Sequence, residues 1–324
     1  MSEAKLQRTI TRFKSKIDSK EYYEAHQTLR TITNRYVNSK QYKEAADLLY
    51  QGASILAKNG EYASAGDLLS YMIEVYSEAG IKCDNDGENK EYKLKFIEVV
   101  RLLPNSDSVL VDLSKQSIAW SSKSTGSKFG DNELHHVFGE KFLKSLDDSS
   151  SSLTEEERQK VFALAELHLI LGVHSSLPLY VDFLYRWSES SSDDKGLFLS
   201  RAVINYLYLK NVRFAEDAIS RFLSKLNSAG AKHEVMEQDG EKIYFYEQPD
   251  QKLLNFLQFL VITVQKEAAG SKFLKLYGHY SPLLDKYEIK SHVEYLGRVY
   301  FGLQIGNSQG GQNVLADLMG SLFK

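Results

Sequence analysis

Apolar residues return along the first part of the chain at intervals that only a helix can place on one face. Leu6, Ile10, Phe13 and Ile17 follow the i, i+4, i+7 rule, and a tighter signature then repeats: Tyr22-x-x-Ala25-x-x-x-Leu29, Tyr42-x-x-Ala45-x-x-Leu48-Leu49 and Tyr62-x-x-Ala65-x-x-Leu68-Leu69. The copies lie 20 residues apart, each after a polar pair: Lys20-Glu21, Lys40-Gln41 and Gly60-Glu61. A helix of roughly 16 residues plus a short turn fills that interval, so each copy predicts one helix. The alanine between larger neighbours lets the adjacent helix approach closely, which is the logic of stacked helical hairpins.

Later segments keep the helical period but drift from the repeat. Thr154-Glu155-Glu156-Glu157 is a capping box before the apolar series Val161, Leu164, Ala165, His168 and Leu171. Ser176-Leu177-Pro178 opens another helix with proline in its first turn. Asp193-Asp194 precedes Leu197 to Leu209, Asn211 precedes Phe214 to Leu226, and Lys252 to Lys266 reads as a largely buried helix. The expected class is all-α: an α-solenoid of antiparallel helical hairpins, TPR-like, with about a dozen or more helices. Three stretches interrupt it. Ser121 to Lys128 and Ser145 to Ser152 read as serine-rich loops, the second marking the middle of the array. Around 234–247, Asp239-Gly240 centres a type I′ turn, which pairs Glu237 with Lys242, Met236 with Ile243 and Val235 with Tyr244 in a small β-hairpin. A lone hairpin is marginal in water and must pack on something.

Composition narrows the class. The chain of 324 residues is 43% hydrophobic, enough for a substantial core, and has only four prolines, which favours helix throughout. The single cysteine, Cys83, excludes an intramolecular disulfide and a cysteine-based zinc cage, and with no apolar leader and no run long enough to span a bilayer the expected setting is the cytosol. Net charge is −3, but residues 1 to 45 hold ten Lys/Arg against five Asp/Glu, or +5, leaving −8 elsewhere. A basic N-terminal surface can steer an acidic partner.

No catalytic, cofactor-binding or metal site is expected. Gly126-Ser127-Lys128 lacks the first glycine and the preceding strand of a phosphate loop, and Gly306, Gly310 and Gly311 lack the strand-to-helix setting of a dinucleotide site. Adjacent His135 and His136 point to different sides of a helix, and His168 and His174 are separated by a helix end, so neither pair has metal spacing. Cys83 has no activating motif.

Several blocks resemble one family. Lys5 to Thr9, Tyr22 to Ile32 and Asn34 to Val37 are similar to the N-terminus of the Golgi-to-ER traffic protein 4 family; Lys128 to Asp131 with Leu134-His135, and Tyr180 to Leu184, resemble its middle. Phe256 to Leu260, Ile262-Thr263 and Leu318 to Leu322 resemble its end. The resemblance implies an α-solenoid adaptor in the guided entry of tail-anchored membrane proteins. It would bridge a targeting ATPase, held by residues 1–150, to a ubiquitin-like-domain protein, held by residues 151–324, as a non-enzymatic member of a hetero-oligomer. It implies no cofactor, no nucleic acid and no membrane insertion.

On this footing Arg8, Arg12, Lys16, Tyr23, Arg30 and Arg35 form the expected ATPase-facing surface. They combine a basic stripe with exposed Arg and Tyr, types enriched at interfaces. Asp67 joins them by resemblance alone, as a contact near the ATPase nucleotide site. Val235, Ile243, Tyr244 and Phe245, with the helices near Leu253–Val264 and Val293–Phe301, are the expected seat of the ubiquitin-like partner's N-terminal segment. A helical scaffold subunit of a larger cytosolic complex is the rival reading, and purification with many subunits rather than two would favour it.

Overall fold

The computed structural model describes residues 3–87, 89–147, 153–238 and 240–306. Among them are fourteen helices and one two-stranded antiparallel sheet, the expected class. The chain divides into two compact units, Met1–Gly172 and Val173–Lys324.

The first unit comprises α1 (Glu3–Asp18), α2 (Tyr22–Asn38), α3 (Tyr42–Lys58), α4 (Tyr62–Glu78), α5 (Lys90–Leu102), α6 (Val109–Thr125), α7 (Asn132–Asp147) and α8 (Glu155–Ile170). Helices α2 to α4 each begin on the tyrosine of the repeat. Two residues beyond each of α1 to α4 stands a residue with positive φ, at Lys20, Lys40, Gly60 and Gly80. The next amide then reaches back five residues: Glu21 N–H to Lys16 C=O (2.9 Å), Gln41 to Tyr36 (2.8 Å), Glu61 to Leu56 (3.0 Å) and Ile81 to Tyr76 (2.9 Å). This left-handed stop satisfies carbonyls that a helix end would otherwise orphan and reverses the chain at the same point in every repeat.

Packing follows from the small residues. Ala25, Ala45 and Ala65 are fully buried, and a Cβ added at Gly52 would collide with Leu29 Cδ1, so the second and third helices meet where Gly52 has no side chain. Helix α3 packs on α4 and α5, α4 also on α6, and α5 also on α7. Contact with the next helix and the next but one is the layering of a solenoid.

One expected loop is corrected. Ser121 to Thr125 belong to α6, and the loop begins only at Gly126, whose φ of 72° ends the helix. Serine and threonine can stay helical when their hydroxyls bond back to the preceding turn. Here Ser121 Oγ donates to Ile118 C=O (2.9 Å), Ser124 Oγ to Ser121 C=O (3.2 Å) and Thr125 Oγ1 to Ser121 C=O (2.7 Å). Ser145 likewise ends inside α7; residues 148–152 of the second serine stretch, and the tail from 307, lie outside the described residues.

The second unit comprises α9 (Ser176–Glu189), α10 (Lys195–Tyr208), α11 (Val212–Ser228), β1 (Glu234–Gln238), β2 (Glu241–Phe245), α12 (Lys252–Val264), α13 (Gly270–Lys286) and α14 (Lys290–Phe301). The capping box at Thr154, the Asn211 cap and the proline start of α9 all form as expected. Asp194 does more than its sequence position suggests. Its buried carboxylate accepts from Gly196 N–H (2.8 Å) and Leu253 N–H (2.9 Å), capping α10 while anchoring the start of α12. The hairpin register is the expected one, with Val235 opposite Tyr244, Met236 opposite Ile243 and Glu237 opposite Lys242. Gly240 has φ of 83°, as a primed turn requires; Asp239 lies outside the described residues. Among the described residues no helix is long and apolar enough to cross a membrane.

Candidate functional site

Two surfaces combine exposure with interface chemistry, one in each unit. The first lies on α1 and α2. Ile10, Phe13 and Ile17 face the core, which turns Arg8 and Arg12 out to solvent; Arg35 is exposed on α2, and Tyr23 is 75% exposed. A tyrosine left that open on a solenoid face can anchor a partner at little entropic cost. Lys16 belongs to the same stripe but is engaged within the chain: Nζ lies 2.5 Å from Glu24 and 3.3 Å from Glu21. The Glu24 hydrogen bond holds the Lys16 ammonium above the usual lysine range, and Lys16 in turn holds Glu24 below the usual carboxylate range.

Arg30 and Asp67 are separated by 37 residues in sequence and meet in space. Both Asp67 oxygens accept from Arg30 Nη1, His26 Nε2 lies 2.7 Å from Asp67 Oδ2, and the Arg30 guanidinium stands 5.2 Å from the centre of the Tyr71 ring. Two expected contact residues are therefore one unit across α2 and α4, held half-exposed. Sequence reasoning missed His26 and Tyr71. The signal was available in the 20-residue period, which sets α2 and α4 two layers apart with corresponding faces aligned.

The second surface is a groove of about 710 Å³ between α11, β2 and α12. Leu223 and Val261 supply buried apolar lining, Tyr244 is half-buried, and Ser220, Ser224 and Lys242 are exposed along it. The hairpin is fixed beside it by side-chain amides. Tyr244 N–H donates to Gln258 Oε1 (2.9 Å) and Gln258 Nε2 donates to Tyr244 C=O (2.7 Å); Asn255 makes the same pair with Tyr246 at 2.9 and 2.8 Å. Asn255 and Gln258, spaced i, i+3 on an otherwise apolar helix, thus serve β2 in place of a third strand. Ile243 is 2% exposed, so it holds the hairpin to the unit, whereas Val235 is 54% exposed and Phe245 half-buried. Helix α14 packs on α10 and α13, and its residues do not line the groove.

Ionisable side chains elsewhere are structural. His135 Nε2 lies 2.8 Å from Phe129 C=O and must carry the proton, so His135 Nδ1 accepts from His168 Nδ1–H at 2.8 Å. Burial pushes His135 down to about 4 and His168 well below the usual histidine range. Lys141 Nζ donates to Leu103 C=O (2.6 Å) beyond the end of α5, and burial lowers it to about 8; burial raises the Cys83 thiol to about 12, far from a reactive thiolate. Among the described residues no three His, Cys, Asp or Glu side chains converge on a point that could hold a metal.

Comparison with known proteins agrees along nearly the whole chain. The family described as Golgi to ER traffic protein 4 matches residues 39–323. Golgi to ER traffic protein 4 of Aspergillus fumigatus is 31% identical over 99% of this chain and 90% of its own length; that of Schizosaccharomyces pombe is 30% identical over 93% and 90%. A crystal structure of C. therm. Get4 superposes with a TM-score of 0.81 at 28% identity, covering 99% of this chain and 96% of that one.

Proposed function

The chain belongs to the Golgi to ER traffic protein 4 family, and from that premise we propose that it works as an adaptor in the guided entry of tail-anchored membrane proteins. Family membership supports the role in this pathway. In the finer reading the chain bridges two proteins without catalysing a reaction. A targeting ATPase sits on the basic face of the first unit, through Arg8, Arg12, Tyr23, Arg35 and the Arg30–Asp67 pair. A ubiquitin-like-domain protein sits at the hairpin side of the second, against Val235, Tyr244 and Phe245, with Ile243 holding the strand in place; Lys16, beside Glu24, adds its charge to the ATPase-facing surface of the first unit.

The observation that carries this reading is the chemical difference between the two surfaces. One is cationic with a single exposed aromatic, suited to electrostatic steering and weakened by salt. The other is a groove in which Ile219, Leu223, Val261 and Ile262 alternate with neutral serine and amide side chains beside a strand held by side-chain amides, suited to an ordered segment of a partner. Surfaces this unlike suit different proteins.

Light scattering on purified components tests it. Chain, ATPase and ubiquitin-like-domain protein together should elute as one species heavier than either binary complex, and the two partners should not associate without the chain. Mutual displacement of the partners would refute bridging. An Arg8→Glu, Arg12→Glu variant should slow association with the ATPase at low salt and leave the other partner's affinity unchanged.

A further inference from the structure

The outer edge of the hairpin has no role in the packing described above. Tyr244 and Tyr246 direct their backbone N–H and C=O groups away from β1, to Gln258 and Asn255. In an antiparallel ladder, opposed residues alternately exchange both backbone bonds or neither. Tyr244 therefore belongs to a non-exchanging pair, and its opposite residue, Val235, turns its own N–H and C=O outward from β1. The period of two gives Glu237 the same orientation and leaves Met236 bonded to Ile243. Among the described residues the sheet has two strands, so that edge is unpaired. Val235 and Met236 are 54% and 41% exposed on β1, and neither Lys nor Pro occurs in Glu234–Gln238. An edge bearing open backbone groups and apolar side chains without such blocking residues is a template for another strand.

Charge selects the occupant. Glu234 and Glu237 are exposed on either side of the two apolar residues, and β1 contains no cation. Two copies of β1 side by side would place four glutamates on one short ladder, which like-charge repulsion disfavours. A strand bearing lysine or arginine gains where a second copy loses. We propose that β1 is an augmentation edge that accepts, as a third strand, an extended segment of a partner whose apolar residues are interrupted by Lys or Arg. The proposal rests on the reading that the hairpin side of the second unit docks the ubiquitin-like-domain protein.

The test uses the full chain and that protein. Val235→Pro removes an N–H that faces outward and leaves the bonds to β2 in place, as proline on an edge strand can. It should weaken binding about tenfold or more, and Glu234→Lys with Glu237→Lys should weaken it comparably, each position contributing modestly and together about tenfold. In the unaltered chain, residue-resolved amide exchange should show Val235 and Glu237 gaining protection in the complex, a readout independent of how the variants fold. Undiminished affinity of both variants, or no gain in protection at those two amides, while Tyr244→Ala still weakens binding, would overturn the augmentation edge and leave the docking reading standing. No binding by the unaltered chain would remove both.

Discussion

The repeats of the first unit and the hairpin seat of the second reach order by opposite routes. Helices α2 to α4 bury alanine and leucine by one rule applied three times, and a neighbour of the right shape satisfies each position. The hairpin seat depends on four specific amide bonds from Asn255 and Gln258 to the backbone of Tyr244 and Tyr246. The interior of the first unit also holds ionisable groups, as in the buried His135–His168 pair, whereas the amides of the seat carry no charge at any ordinary pH. Apolar repetition tolerates change in small steps, and a polar seat is either satisfied or costly.

Acid gives the largest expected separation between the two. His135 falls from a reference of 6.5 to about 4 because burial disfavours its charged form, and His168 shifts the same way. A folded pKa below the unfolded one gives a contribution that is complete above pH 6.5 and lost as pH falls toward 4; for His135 alone this amounts to about 3 kcal/mol. Urea midpoints measured from pH 7 to pH 4 should therefore fall, and should fall less in a His135→Gln, His168→Leu variant. Parallel pH profiles for the two proteins would show that the pair does not titrate on unfolding.

Next in size is the loss of one seat amide. Asn255→Leu keeps an apolar helix apolar and leaves the Tyr246 N–H and C=O without their partners, which is expected to cost about 2–3 kcal/mol because an unmatched buried backbone group is expensive. Hydrogen exchange should rise in 241–246 while 42–58 stays protected. A change below about 0.5 kcal/mol would mean that water reaches the strand and that the amide bonds do not hold the hairpin.

These cases also show what the sequence made legible. The period of 20, the caps at Thr154 and Asn211 and the hairpin register were readable because each follows from residues close together in the chain. What was missed is long-range. His135 with His168 and Asp194 with Leu253 are each the meeting of two helices whose stacking no local pattern fixes, whereas Arg30 with Asp67 could have been placed by carrying the 20-residue period across two layers. The serines of α6 misled for a related reason: serine favours loops unless its hydroxyl bonds back to the helix, and the buried setting of Ser121 decides that. On the candidate site, exposure of Arg8, Arg12 and Tyr23 followed from the helical wheel, whereas Ile243 is drawn into the interior by a helix that comes later in the chain.

The smallest expected effect sharpens the repeat itself. Lys20, Lys40, Gly60 and Gly80 occupy one position of the period, with φ of 61°, 56°, 82° and 67°. The backbone turn is the same in all four, yet only glycine adopts it without a steric penalty from Cβ, which is about 1–2 kcal/mol for an ordinary side chain. Glycine also enlarges the conformational freedom lost on folding, an opposing contribution of about 0.4–1 kcal/mol. The balance for Lys40→Gly is a gain of about 0.5 kcal/mol, small but of definite sign. Gly60→Ala reverses both contributions and should lose a similar amount, even though nothing lies within 4 Å of the added Cβ. Since Lys40 is exposed, neither change alters burial, and the two shifts in urea midpoint isolate the backbone term. Shifts of the same sign for both variants would show that the left-handed turn does not control the stability of the repeat. Opposite signs would establish that lysine is held in α2's terminal turn against its own preference, by the bond from Gln41 N–H to Tyr36 C=O that closes every copy.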